Sequence, residues 1–265
     1  MDKNFVFPIE GAIGVFDSGV GGLSVLLEIR KTFPAIPIIY LADQLHVPYG
    51  SRPLQEVLDF SRAITKFLLS LGAVMIVVAC NAASAAALQT IRKEFPQIPF
   101  VGMEPAVKPA AETTTSGSVG VLATPATFQG KLYASVVERF ANNVKLIQST
   151  CPGLVQQIEL ADFNSEQTAA ILKTALQPMI LQGIDTVVLG CTHYPFVIST
   201  IKNITGPKVR IINPAPAVAR QTAKLYPAAQ YDSTNNPVAQ PSTLLITTGN
   251  SEDLAKNIDP AEWAK

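Results

Sequence analysis

Cys80 and Cys191 each close an apolar, β-branched run, in AVMIVVACNAAS (Ala73–Ser84) and DTVVLGCTHYP (Asp185–Pro195). In both, the run ends on a small residue, then the cysteine, then a short polar residue. Two thiols on opposite sides of one substrate can take a proton from one face and return it to the other. Either cysteine alone could equally be a small apolar filler. The matched contexts favour chemistry, because a long near-duplicate spacing points to one α/β unit used twice.

Other residues fall at comparable places. Asp17-Ser18-Gly19-Val20-Gly21-Gly22 follows an apolar strand and opens a helix. Unpaired N–H groups at such a turn suit an anion. A dinucleotide site would need glycine at position 24, where Ser24 stands, and the loop lacks the Lys of a P-loop. A substrate carboxylate is the expected occupant; the plainer alternative is that the glycines only shape a tight turn. Asp43 ends IIYLAD and precedes Val47-Pro48-Tyr49-Gly50-Ser51-Arg52, a turn that could offer backbone amides and a phenol to a ligand. His46, in the same loop, reads as a surface residue. His193 stands two residues after Cys191 and is one of only two histidines. An adjacent imidazole can make a thiol a usable base. Cys151 has no repeat partner and reads either as structural or as a support behind the site.

The elements that must position these groups alternate short β-rich runs with helical periodicity, the pattern of parallel sheets flanked by helices. Strands are expected at Ile13–Asp17, Ile36–Ala42, Ala73–Ala79, Ile98–Gly102, Val119–Ala123, Val144–Ser149, Thr186–Gly190, Val209–Asn213 and Thr243–Thr248. Helices are expected at Gly22–Thr32, Leu54–Leu71, Ala82–Phe95, Ala126–Phe140, Glu166–Gln182 and Ala215–Leu225, with Pro178 kinking or splitting its helix. IGVFDSGVGG (Ile13–Gly22) and VGVLATPATF (Val119–Phe128) repeat the strand–turn–helix entry. The fold class is therefore α/β, with two pseudo-symmetric domains and a cleft between them. Residues 1–98 with 207–265 form the first, discontinuous domain, and residues 99–206 the second. Pro227–Ser242 reads as a surface connection.

The totals narrow the function classes. Lys+Arg and Asp+Glu are both 20, which gives no electrostatic case for nucleic acid or an anionic membrane surface. Hydrophobic residues make up 48% and charged ones 15%, so a sizeable core is expected. The opening residues lack the features of a signal peptide, and the longest apolar stretch, Phe67–Ala79, is too short to span a bilayer. Three cysteines without a CxxC pair argue against a disulfide framework or a zinc site and for a reducing cytoplasm.

The chain resembles the glutamate racemases of the aspartate/glutamate racemase superfamily over nearly its whole length. The resemblance is carried by GVFDSGVGGLSVL (Gly14–Leu26), YLAD…VPYGSR (Tyr40–Arg52), VVACNAAS (Val77–Ser84), GMEPAVKPA (Gly102–Ala110), LGCTHYP (Leu189–Pro195) and ITTG (Ile246–Gly249). It implies a cofactor-independent, metal-free exchange of the Cα proton that interconverts L- and D-glutamate and supplies D-glutamate for peptidoglycan. Cys80 would deprotonate the D enantiomer and Cys191 the L enantiomer. Asp17 and His193 would assist the two thiols, and Asp43 would be a further acidic residue of the site. Asp17, Ser18, Tyr49, Gly50, Asn81, Ala82, Thr192 and His193 would meet the substrate. A homodimer is the assembly common in the family.

Two departures stand out. The family usually reads Cys-Asn-Thr, whereas Ala82 follows Asn81 here. The lost hydroxyl would remove a substrate hydrogen bond of about 0.5–1.5 kcal/mol, with a water or Thr124 as possible replacements. Gln44, Leu45 and His46 also replace smaller or basic residues. The competing functions are an aspartate racemase with the same cysteines, an amino-acid-binding protein without turnover, and a cysteine hydrolase that would leave one thiol unexplained.

Overall fold

A computed structural model describes residues 8–227 and 243–257. The first part of the chain runs β1 (Ala12–Asp17), α1 (Leu23–Thr32), β2 (Ile38–Ala42), α2 (Leu54–Ser70), β3 (Ala73–Val78), α3 (Asn81–Glu94) and β4 (Phe100–Gly102). Next come α4 (Val107–Thr113), β5 (Ser118–Ala123), α5 (Pro125–Gln129), α6 (Lys131–Phe140), β6 (Lys145–Ser149), α7 (Leu154–Glu159) and α8 (Glu166–Leu181). The remainder is β7 (Thr186–Gly190), α9 (Ile198–Thr205), β8 (Arg210–Ile212), α10 (Ala215–Leu225), β9 (Thr243–Thr247) and α11 (Ser251–Ala255).

Two parallel sheets result, ordered β4-β3-β1-β2-β9 and β6-β5-β7-β8. Read outward from β1 and β5, the order is the same in both, with β9 as an extra edge. The duplicated sequence entries are thus duplicated strand neighbourhoods. Every residue of β1, β2 and β7 is buried, as expected of parallel strands covered on both faces. Alternate residues divide between faces: Ile13 and Val15 pack with Val77 and Leu154, while Ala12 and Phe16 pack with Ile76 and Leu88.

Sheet membership moves the expected domain boundaries. β4 pairs with β3, and β8 pairs with β7, so the chain leaves the first sheet after Gly102 and the second after Ile212. The expected crossings after residues 98 and 206 come earlier in the chain than these, and strand pairing continues past both. The expected helix Ala126–Phe140 is two helices, because extended Gly130 separates them. A Cβ there would lie 2.5 Å from that of Ala85 on α3, so the break follows from close packing. Pro178 does not split α8; it lies in the last turn, where it costs one internal hydrogen bond. The expected connection Pro227–Ser242 lies, apart from Pro227, outside the described residues. No described helix is long and apolar enough to cross a membrane.

The strand register sets the active groups level. β1 pairs Asp17 with Ala42 and Phe16 with Val78, and the ladder continues through Asp43 N–H to Asp17 and Ala79 N–H to Phe16. Asp17, Asp43 and Cys80 therefore emerge together at the carboxyl end, where the order reverses around β1. In the second sheet Ala123 pairs with Gly190, which sets Thr124 level with Cys191.

Gly72, between α2 and β3, has φ +99°, and a Cβ on it would meet the Ile9 carbonyl oxygen at 2.6 Å. Gly72→Ala is expected to lower stability by about 1–3 kcal/mol, measured by urea unfolding.

Candidate active site

A cavity between the two sheets' carboxyl ends is lined by Ser18, Tyr49, Gly50, Cys80, Asn81, Ala82, Thr124, Cys191, Thr192 and His193, with Pro48 and Val155. Both matched cysteines face it. Its volume is about 20 Å³, room for roughly one water. Closure is tight at the rim: a Cβ on Gly50 would lie 2.5 Å from that of Thr124.

Cys80 is the N-cap of α3. Backbone N–H groups of Ser18 and Ala83 point at its sulfur, and its thiol approaches Ser18 Oγ at 3.9 Å. Burial pushes this thiol well above the ordinary range, and the neighbouring Asp17 charge adds to the rise despite those donors. Cys80 therefore rests as a protonated thiol. Asp17 is fully buried and accepts from Ser18 Oγ (2.9 Å), Gly19 N–H (3.1 Å) and, from the other half, Thr192 Oγ1 (2.7 Å). Burial raises its carboxyl above the usual value, although His193 and these donors oppose the shift.

Cys191 has a cationic neighbour instead. His193 Nδ1 lies 3.8 Å from its sulfur, and Nε2 lies 2.6 Å from Glu159 Oε1. Burial alone would lower the imidazole's pKa, but hydrogen bonds and charge from Cys191 and Glu159 raise it well above 6.5. Glu159 mirrors this. Burial would raise its pKa, but donors from His193, Val20 N–H (2.8 Å) and Gln44 Nε2 (3.1 Å) hold it below the usual range. An imidazolium–carboxylate pair results, with its free N–H beside the Cys191 sulfur.

Glu159, on α7, was not singled out from the sequence. A histidine beside a catalytic thiol calls for an orienting carboxylate, but 20 acidic residues offer themselves and no motif distinguishes this one.

The glycine-rich loop also differs from expectation. Its Gly19 and Val20 N–H groups are taken by the protein's own Asp17 and Glu159, so neither awaits a substrate carboxylate. The glycines instead permit approach: a Cβ on Gly19 would overlap the Glu159 carboxylate, and one on Gly21 would lie 2.5 Å from His193 Nδ1.

Asp43 does not line the cavity. It sits behind Tyr49, accepting from the Tyr49 hydroxyl (2.5 Å), His46 Nδ1 (2.9 Å) and Thr248 Oγ1 (2.7 Å). This geometry makes it a support for Tyr49. His46 is not a free surface residue, since it also stacks on Phe60 with ring centroids 4.1 Å apart. Asn81 presents a buried amide with neither Nδ2 nor Oδ1 partnered among the described residues. An unsatisfied buried amide in a cavity wall is a group waiting for a ligand. Ala82 offers only its methyl, and the Thr124 hydroxyl is engaged with Thr127 as the cap of α5. Cys151 borders a neighbouring 210 Å³ cavity; burial pushes its thiol up to about 12, in keeping with a structural part.

Asp17→Asn removes one anion beside Cys80, so the Cys80 pKa should fall. Alkylation of Cys80 by iodoacetamide, followed by peptide mass spectrometry across alkaline pH, should then begin at lower pH than in the unmodified protein. An unmoved profile would leave burial as the sole cause.

The Asp/Glu/Hydantoin racemase family model matches residues 13–222. The chain is 46% identical over 246 residues to a glutamate racemase of Roseiflexus sp. (strain RS-1), spanning 93% of this chain and 90% of the relative. It is 47% identical over 217 residues to one from Pseudomonas aeruginosa, spanning 82% of each. Among solved structures, Escherichia coli glutamate racemase, in complex with L-glutamate and an activator, superposes with a TM-score of 0.81. The two share 32% identity, with 95% and 94% of the chains covered. A glutamate racemase isoform from Bacillus anthracis gives 0.79 at 33% identity, with 92% and 90% covered. With the two thiols brought to one cavity by equivalent strands, the chain belongs to the Asp/Glu/Hydantoin racemase family.

Proposed function

We propose that the chain is a cofactor-independent glutamate racemase whose two thiols exchange the Cα proton. The observation that carries this reading is the placement of Cys80 and Cys191 on one cavity, from equivalent strand ends of the two halves. Their surroundings are opposite in charge, and that difference assigns the resting state. In this reading Cys80, beside Asp17, acts as the acid and Cys191, 3.8 Å from His193 Nδ1, as the base for L-glutamate.

Starting from L-glutamate, the Cys191 thiolate takes the Cα proton and becomes a thiol. Cys80 then donates its proton to the opposite face of Cα and becomes a thiolate. D-glutamate leaves, and a proton must pass between the two thiols before the next L-glutamate can react; the reverse reaction begins from the exchanged state. The carbanion's charge is met by the substrate's own ammonium and by hydrogen bonds to its α-carboxylate. In this reading Asn81 supplies them first, since its amide has no partner among the described residues, whereas the Ser18, Thr192 and Tyr49 hydroxyls are engaged with Asp17 and Asp43 and would have to turn toward the substrate. A cavity with room for a single water must widen to hold glutamate, so in this reading the two halves move apart for entry and close again only as far as the bound substrate allows. Free thiols suit a reducing cytoplasm, where the product would feed peptidoglycan synthesis. A homodimer belongs to the same reading.

In heavy water, either enantiomer of glutamate should gain deuterium at Cα, labelled from the first turnovers. Glutamate that stays unlabelled would sink the proposal, and faster exchange into aspartate would redirect it to that substrate. Cys80→Ser and Cys191→Ser should each lower racemisation by more than about 100-fold, the low end of what a positioned acid or base supplies. Circular dichroism checks that both variants remain folded.

A further inference from the structure

The ITTG segment at the end of β9 and the departing residue Gln44 have no part in the proton transfer above, yet they are wired to it. The Thr247 hydroxyl accepts from Gly249 N–H (2.9 Å) and donates to Gln44 Oε1 (2.7 Å). That donation fixes the Gln44 amide: its carbonyl must face Thr247, so its NH2 faces Glu159 Oε2 at 3.1 Å. The flipped amide would set a carbonyl dipole against a carboxylate. Gly249 completes the fit, because a Cβ on it would lie 2.9 Å from that of Gln44. The other oxygen of Glu159 is the one that receives His193 and Val20 N–H.

We propose that Gln44, aimed by Thr247, is a positioning residue that fixes the Glu159 carboxylate and through it the His193 ring beside Cys191. Glu159 lies on α7, in the sheet-β5 half, whereas Gln44 and Thr247 follow or end strands of the β1 sheet. The relay therefore exists only when the halves are closed, and it completes the Cys191 side of the site at that moment. Gln44 does not line the cavity, so it acts on reaction geometry and not on substrate contacts.

The kinetic arm of the test rests on the racemase reading; the spectroscopic arm does not. With only two histidines in the chain, ¹⁵N-histidine labelling resolves the His193 ring. The short Nε2–H···Oε1 bond should give a strongly downfield proton signal that moves upfield in Gln44→Met and equally in Thr247→Val. In kinetics, each variant should lower kcat by between about 10- and 100-fold, the scale of an ångström-level misplacement, with KM changed by less than about twofold. The equilibrium between enantiomers fixes kcat/KM to fall equally in both directions. The affected side is therefore read from the primary isotope effect, which should grow for L-[2-²H]glutamate. The double variant should be no worse than either single one, since both cut the same chain. If the His193 signal is unmoved in the folded single variants, or the two defects multiply, the relay is overturned. Should glutamate exchange no deuterium, the racemase reading falls while the His193 signal still decides the relay.

Discussion

The contact on which the site depends is the Glu159 carboxylate, received by Val20 N–H of one half while it holds His193 in the other. Burial penalises every charge in this region, and an unpaired buried ion is the costliest case. Glu159 escapes that penalty because three donors converge on it, and His193 escapes it because carboxylate and sulfur lie on its two sides. Without the glycines at 19 and 21, neither side chain could reach its place. The most recognisable sequence motif of the chain is thus, in part, a socket for a residue far along it.

Repetition and asymmetry act together. Two sheets of the same inner order bring two cysteines to one cavity, one from each half. Identical surroundings would leave both thiols in the same protonation state and the site without a base–acid pair. The repeat diverges at this point: an aspartate stands by Cys80, and a histidine by Cys191. The two cysteines thus stand in surroundings of opposite charge, which is the asymmetry the proposed exchange of a proton between faces would use.

Closure is the other constraint. Thr192 to Asp17, Ser24 to the Thr192 carbonyl, and Val20 N–H to Glu159 all join the halves. A dry, closed space strengthens the electrostatic terms that stabilise a carbanion.

The sequence by itself determined the two-sheet α/β architecture, the ends of most strands, and the pair of cysteines with His193. These are encoded locally: β-branched runs bounded by glycine and proline, repeated in order along the chain. The tertiary structure alone decided that Glu159 is the partner of His193, that Gln44 and Thr247 lie behind it, that Asp43 supports Tyr49 from outside the cavity, and that the chain changes sheets after Gly102 and Ile212. Apart from the Asp43–Tyr49 contact, those facts are long-range pairings; Val20 and Glu159 are 139 positions apart. A carboxylate's local sequence does not reveal which buried donors will surround it, because that is fixed only when two separately patterned halves pack together.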